Sequence, residues 1–551
     1  MGCSANYYRN SADKEAYSAI RNKTPVVTNM ESQFSIDYTN SLNLEPLPIA
    51  TQTNDFLGPA AAVEVGARIL SLETALAIAV KNSRLYQNAK EQLYLSALSL
   101  TLSRHQFAPL FSAGGSGSYE QAAVEIVPVR TNAVLSDNLV EESAVRGGAS
   151  VGAAWLIRDI GRISAAFTTD FLRFLSGDPR SLVSSELGAT FSRPLLRNAG
   201  YKAEMENLTQ TERDLLYGLR DFVRFRKTFT VQVASTYYQV LGGRDAARNS
   251  YLNLDSSRRA GERKRSLANE GRTTQTDLGR IEQQELSAEG AWISAVRNYQ
   301  RALDYFKILL GIPVETRVVL DEQELRNLNI RQPDIKVEEA IRIALAARLD
   351  YQNTVDQQAD SHRKTLLAKN FLKTQLDLTA SGSIASAQEN GGIPLPDLDR
   401  YRWNAGVNLD LPLERKAERN TYRAALIAES RSQRALELRR DEIELQVRES
   451  WRTLEQARRT YEISEIGVKL AQRRVEEQEL LAELGRAKAL DQIDAQNALL
   501  ASTDQRTQAL VAHTVARLQF WENMGILYIK DQGQWVEGSP TLSLNTAKPP
   551  N

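Results

Sequence analysis

Residues 401–413 read Tyr401-Arg402-Trp403-Asn404-Ala405-Gly406-Val407-Asn408-Leu409-Asp410-Leu411-Pro412-Leu413, and no further proline occurs before Gly538. In the first part Trp403, Ala405, Val407, Leu409 and Leu411 alternate with Arg402, Asn404, Gly406, Asn408 and Asp410. Period two over about ten residues, apolar on one side and polar on the other, is the pattern of a β-strand with one wet face. The proline-free run is rich in Ala, Leu, Glu, Arg and Gln and reads as helix. A short strand leading straight into a very long helix is the junction on which the fold turns.

Upstream lies a matching strand, Leu376, Leu378, Ala380, Gly382 and Ile384 alternating with Gln375, Asp377, Thr379, Ser381 and Ser383. Downstream, Gly485 divides the helical run into a long helix, about 420–484, and a return helix, about 487–525. The long one carries a heptad: Val447, Leu454, Tyr461, Val468 and Val475 on one seam, Ile443, Ser450, Ala457, Ser464 and Ala471 on the other. Large residues facing small ones allow close left-handed packing. An ordinary two-helix hairpin would show the same period.

The whole plan is written twice. Ala75, Tyr86-Gln87-Asn88 and Ser116-Gly117-Ser118 match Ala340, Tyr351-Gln352-Asn353 and Ser381-Gly382-Ser383 at one offset. Gly271-Arg272, Asp277, Phe306 and Gly311 match Gly485-Arg486, Asp491, Phe520 and Gly525 at another. The period is that of a duplicated unit of domain size. The change of offset marks an insertion of roughly 45 residues in the first half. The first half is thus read as a helix at about 72–105, strands within Phe107–Tyr119 and around Leu187–Phe191, a long helix at about 201–270 and a return helix at about 273–311. The insertion carries strand-like text at Gly148–Ala154 and Arg162–Thr169, expected to lengthen or decorate the sheet. At 1.5 Å per residue each long helix spans roughly 100 Å, and the two shorter ones placed end to end match it.

The expected fold class is therefore mainly α, a duplicated unit of long coiled-coil helices with about four principal β-strands. The boundaries follow: residues 1–70, polar with scattered Pro and Gly, as an extended arm; 71–313 as the first repeat with its insertion at about 119–185; 314–335 as a linker; 336–527 as the second repeat; 528–551 as a tail.

Charge is balanced, with 68 Lys+Arg against 68 Asp+Glu over 551 residues, so no basic field for nucleic acid is expected. No run approaches a membrane-spanning apolar helix, although a barrel strand would escape such a test. The histidines His105, His362 and His513 are scattered without ligand-like spacing, and no phosphate loop or nucleophile elbow appears. Neither an enzyme nor a cofactor is expected. One cysteine, Cys3, makes no internal disulfide. Gly2-Cys3-Ser4 resembles a bacterial lipoprotein cleavage site, where the cysteine is lipidated, but the apolar stretch that should precede it is absent; the other reading is an exposed thiol.

Strands at the end of a helical rod have no core to cover them, so their apolar face must meet lipid or protein. Four strands are too few for a pore, and open edges in lipid leave backbone groups unpaired. Several copies are then expected to close one shared barrel.

At this point the residues carry a resemblance. The chain from about Leu70 to Trp535 resembles the TolC-type outer-membrane efflux proteins. The resemblance rests on the duplicated plan, on Arg193-Pro194-Leu195-Leu196-Arg197-Asn198-Ala199-Gly200, on the paired breaks Gly271…Asp277-Leu278 and Gly485…Asp491-Gln492-Ile493-Asp494, and on Leu310-Gly311-Ile312-Pro313. It implies a homotrimer with a twelve-stranded outer-membrane barrel and a helical tunnel in the periplasm. It implies export of small molecules or proteins together with a periplasmic adaptor and an inner-membrane pump. Asp491 and Asp494 fall on the family's acidic entrance positions, where three copies would form charged rings. Asp277 falls on a position that latches the entrance. The arginine the family can use opposite it falls on Ala487, which leaves Arg486, Lys488 and Arg280 as candidate partners. Gly271, Arg272, Gly485 and Arg486 fall on the tips that dock the adaptor. The competing reading is a soluble coiled-coil scaffold, which explains the helices and leaves the alternating strands without a purpose.

Overall fold

The computed structural model describes residues 4–31, 33–37, 44–51, 54–125, 139–176, 181–271, 274–387, 393–484, 486 and 488–537. The main helices are α1 (Ala5–Lys23), α2 (Leu72–Asn82), α3 (Arg84–His105), α4 (Glu206–Asn269), α5 (Gln275–Leu310), α6 (Val337–Ala347), α7 (Leu349–Asn370), α8 (Lys416–Glu483) and α9 (Ala489–Asn523). The sheet strands are β1 (Leu110–Glu125), β2 (Leu139–Ile157), β3 (Gly161–Phe174), β4 (Ser181–Pro194), β5 (Gln375–Ala385) and β6 (Tyr401–Asp410). The chain forms two compact units.

One unit gathers Ser96–Leu215 and Gln357–Gln433, together with the first nineteen residues, and holds the sheet. The strands pair consecutively, β1 to β6, every neighbour antiparallel. The four principal strands of the sequence reading are β1, β4, β5 and β6. The insertion supplies β2 and β3, bonded between β1 and β4, so the sheet counts six strands where about four were expected. Its larger apolar residues from Val145 to Trp155 and from Ile163 to Phe171 fall on the same face as those of its neighbours, and it enters the ladder rather than decorating it.

Register places paired residues on one face. One face carries Phe111, Tyr119, Val151, Trp155, Phe171, Leu187, Trp403 and Val407, all exposed. The other carries Ser116, Ser150, Ser164, Thr190, Ser381 and Asn404. Among the described residues the outer edges of β1 and β6 have no strand partner.

The second unit gathers Ile20–Leu95, Leu216–Asp356 and Arg434–Asn551. The heptad seam is its packing surface: Ile443, Val447, Ser450, Leu454, Ala457, Ser464, Val468 and Ala471 are all buried. Tyr86 packs on Phe222, Phe225 and Phe229 with ring centroids 5.5–5.9 Å apart. Tyr237 meets Phe306 edge-on at 5.9 Å, and Trp451 lies 5.4 Å from Phe520. The linker is tied to the start of the first repeat by the parallel pairing of Arg68–Leu70 with Val318–Leu320, and the tail folds back as an antiparallel pair, Leu527–Ile529 with Trp535–Glu537.

Two features differ from the sequence reading. Residues 1–70, expected to be extended, include the helix α1, whose Ala16, Ala19 and Ile20 are buried. The helix expected at about 72–105 is broken at Ser83, and its second copy is broken at Arg348. Neither break has a proline or glycine of its own; each is set by a glycine at the end of the return helix. Gly311, at φ +76°, abuts the Asn82 carbonyl so closely that a Cβ would stand 2.0 Å from its oxygen. Gly525, at φ +77°, lies against Arg348 less tightly, a Cβ there standing 3.1–3.2 Å from its Cγ, Cα and N. The end of each return helix thus occupies the space a straight helix would need.

Candidate functional site

Two surfaces position functional side chains: the meeting point of the four helix ends, α4 with α5 and α8 with α9, and the two-faced sheet. At the helix ends a cavity of about 310 Å³ is lined from all four helices. Arg259, Arg263 and Lys264 of α4 and Glu479 and Glu483 of α8 supply charge, while Leu267, Ile281, Val475 and Ile493 supply apolar wall.

Gly271 ends α4 in the left-handed region at φ +71°, its N–H donating to the Ala268 carbonyl at 2.9 Å. α5 opens on a capping arrangement. The Asp277 N–H donates to Thr274 Oγ1 at 3.1 Å, and that hydroxyl donates back to Asp277 Oδ2 at 2.9 Å. The carboxylate also sits in the first turn, where the helix dipole favours it. Asp277 therefore starts its own helix. Arg280, one turn on, is exposed. α9 opens after Lys488, which has the extended backbone of a cap and no side-chain capping bond. Asp491 is half-buried in the first turn and Asp494 is exposed one turn later, so the two share a face. Arg486 is exposed, and its N–H donates to the Leu481 carbonyl at 2.8 Å. Among the described residues of a single chain, no ion pair joins Asp277, Asp491 or Asp494 to Arg280, Arg486 or Lys488. Cys3, Arg272, Gly485 and Ala487 lie outside the described residues.

The sequence reading missed how the two hairpins are held. Across α4 and α5, Arg265 meets Glu285 at 2.6 Å and Glu282 at 3.5 Å, and Arg258 meets Glu289 at 3.2 Å. The corresponding residues of the second repeat are Glu479, Leu499, Gln496, Gln472 and Thr503, which cannot make these pairs. Between α4 and α9 the bonds are neutral or singly charged: Ser256 with Gln496 at 2.6 Å, Asn249 with Asp504 at 2.7 Å, Asp245 with Thr507 at 2.7 Å. Gln284 of α5 reaches Asn497 at 2.9 Å. Like charges seven residues apart on each helix, Arg258 and Arg265 on α4 and Glu282 and Glu289 on α5, near one tip only were a signal the sequence did contain.

Among the described residues no helix is long and apolar enough to cross a membrane. The sheet is the surface that suits one: an apolar face whose charges, Glu141, Arg173 and Arg193, stand near the strand ends, backed by a hydroxyl- and glycine-rich face, with edges left open.

Two long helices, each about 100 Å at 1.5 Å per residue, and an antiparallel six-stranded sheet are elements of the fold shared with the TolC-type outer-membrane channels. No family description matches the chain in sequence, and no curated protein does. Solved structures match it in fold over 82–95% of its length. The outer-membrane channel CmeC of Campylobacter jejuni superposes with a TM-score of 0.61 at 14% identity, covering 95% of this chain and 97% of that one. The outer-membrane protein VceC of Vibrio cholerae gives 0.60 at 12% identity, covering 82% and 96%. The open state of the MtrE outer-membrane channel of Neisseria gonorrhoeae gives 0.58 at 12%, covering 82% and 88%. At such identities the likeness is one of fold.

Proposed function

We propose that this chain is the outer-membrane channel of a tripartite efflux or type I secretion system, three copies exporting small molecules or proteins from the periplasm to the exterior. The observation that carries the reading is the sheet. It offers lipid an exposed apolar face and water a polar one, and its edges at β1 and β6 demand partners. A hydrocarbon environment tolerates no unpaired edge, so further copies must close it. The scaffold reading gives such a sheet nothing to do.

In this reading the helices continue the bore into the periplasm, and their tips face an adaptor and an inner-membrane pump. Three copies of Asp491 and Asp494 form acidic rings at the entrance. Asp277, Arg280, Arg486 and Lys488 supply latch contacts between copies, in keeping with the lack of such pairs within one described chain. Gly271, Arg272, Gly485 and Arg486 form the adaptor-facing tips, and Cys3 is the lipid attachment point. Reconstitution into planar bilayers tests the function. Stepwise conductance from a detergent-extracted threefold particle is expected; a single-copy protein that stays dissolved without detergent and conducts nothing refutes it.

A further inference from the structure

The inserted hairpin of β2 and β3 obeys the same rule as the rest of the sheet. On the face shared with Leu378 and Val407 it places Val145, Val151, Trp155, Ile163, Phe167 and Phe171. On the face shared with Ser381 and Asn404 it places Arg146, Ser150, Arg162, Ser164, Thr168 and Asp170. A loop that only decorated the outside of a barrel would have no need of that alternation. The apolar face of β3 is uncharged from Ile163 to Phe171 and meets a charge at Arg173. Nine residues at about 3.3 Å each, tilted by about 40°, rise roughly 23 Å, close to the height of the apolar band of an outer-membrane barrel.

The connections agree. β2 and β3 are joined by the short turn Arg158–Ile160, at the end of the sheet where β1 begins after α3 and β4 runs on towards α4. There the turn is tight: Asp159 has φ +62° and Gly161 φ +126°, and a Cβ on Gly161 would lie 2.4 Å from the Ser192 carbonyl oxygen. At the opposite end the connections are longer, residues 126–138, 175–180 and 386–400. Short turns on the periplasmic side and long loops outside are the habit of outer-membrane barrels.

We infer that β2 and β3 are wall strands of the membrane barrel, one face in lipid and one on the lumen, so that three chains of six strands close an eighteen-stranded barrel. This rests on the channel reading above. Barrel width grows roughly linearly with strand number, so the bore at the membrane is about one and a half times that of a twelve-stranded wall. The lumen side carries small residues, among them Ser112, Gly114, Ser150, Gly152 and Ser164, together with the charged Arg146, Arg162 and Asp170.

Single cysteines at Ser150, Val151, Phe167 and Thr168, with Leu378 and Thr379 as references, are to be probed by a membrane-impermeant maleimide in proteoliposomes. The unsubstituted protein serves as the blank for Cys3. Labelling at S150C, T168C and T379C with loss of labelling at V151C, F167C and L378C is expected. Equal labelling of S150C and V151C while T379C and L378C keep their contrast puts the hairpin outside the wall and overturns the inference, leaving the channel intact. Loss of contrast at the reference pair as well overturns the channel reading itself. Imaging the extracted trimer gives an independent count: eighteen strands support the inference, and twelve refute it.

Discussion

Asp350 receives two hydrogen bonds from Arg348, Nε to Oδ1 at 3.1 Å and Nη2 to Oδ2 at 2.7 Å, and Arg439 Nη2 reaches the same Oδ2 at 2.5 Å. Arg348 is the residue at which α6 breaks from α7, and it also donates to Gln446 Oε1 at 2.8 Å. Its side chain is wholly buried. The break is thus fastened to α8 through one buried guanidinium. Replacing Asp350 by Asn leaves that charge uncompensated, an error that typically costs about 3–5 kcal/mol. Urea unfolding of the detergent-solubilised protein should show this loss, and the double variant R348M/D350L should recover a large part of it.

The same cluster sets an acid limit. Burial would raise the Asp350 pKa, but the Arg348 hydrogen bond and the charges of Arg224, Arg348 and Arg439 outweigh it and hold the carboxyl well below the usual carboxylate range. Its stabilisation is therefore complete above the unfolded-state pKa of about 4 and disappears as pH falls towards the depressed folded value. Denaturation midpoints measured from pH 5 downward should fall more steeply in the wild type than in D350N.

His513 acts in a different window. Its ring is fully buried, and neither nitrogen has a hydrogen-bond partner among the described residues. Burial, aided by the charges of Arg517 and Arg458, pushes its pKa from 6.5 down to about 4. Below pH 6.5 the unfolded chain takes up a proton that the folded chain refuses. Stability accordingly falls with acidification between those two values, by at most about 3 kcal/mol. The variant H513L should flatten the stability profile over this interval without altering its slope below pH 4.

How far the sequence reveals all this depends on the range of the interaction. The heptad from Ile443 to Val475 was legible because its period is local and strong, and eight of its ten positions are buried. The alternation around Trp403 was legible for the same reason. The place of β2 and β3 within the sheet was not, because alternation fixes a strand's faces and leaves its neighbours open. The breaks at Ser83 and Arg348 were hidden because their cause lies more than 170 residues away, in Gly311 and Gly525. At the tips, Asp277 reads from the resemblance as a latch residue, and nothing in that reading reveals Thr274 of its own helix as its hydrogen-bond partner.

The unequal hairpins yield a test by salt. Arg258 and Arg265 tie α4 to α5 through Glu282, Glu285 and Glu289, and α8 and α9 lack the equivalent charges. Exposed pairs weaken as salt screens them. Amide exchange near residues 256–271 and 274–290 should therefore accelerate in 1 M salt relative to low salt. Exchange near 470–484 and 489–504 should change much less. Equal acceleration of the two hairpins would mean that the ion pairs do not hold the first tip together.

Asp491 and Asp494 sit one turn apart at the start of α9 with no ion pair among the described residues, so their charge is free to act on passing ions. In a threefold assembly each makes a ring of three carboxylates, and a ring of one sign in a narrow pore favours ions of the other. D491N and D494N should each lower the cation-to-anion permeability ratio, and the double variant should lower it further. Reversal potentials in planar bilayers under a salt gradient measure this directly. Because Asp491 lies in the first turn, where a carboxylate also stabilises the helix by about 0.3–1 kcal/mol, D491N carries a small stability cost that D494N should lack. A selectivity change in both variants with a stability change in only one would separate the ring from the helix start, whereas unchanged reversal potentials in the double variant would remove these residues from the ion path.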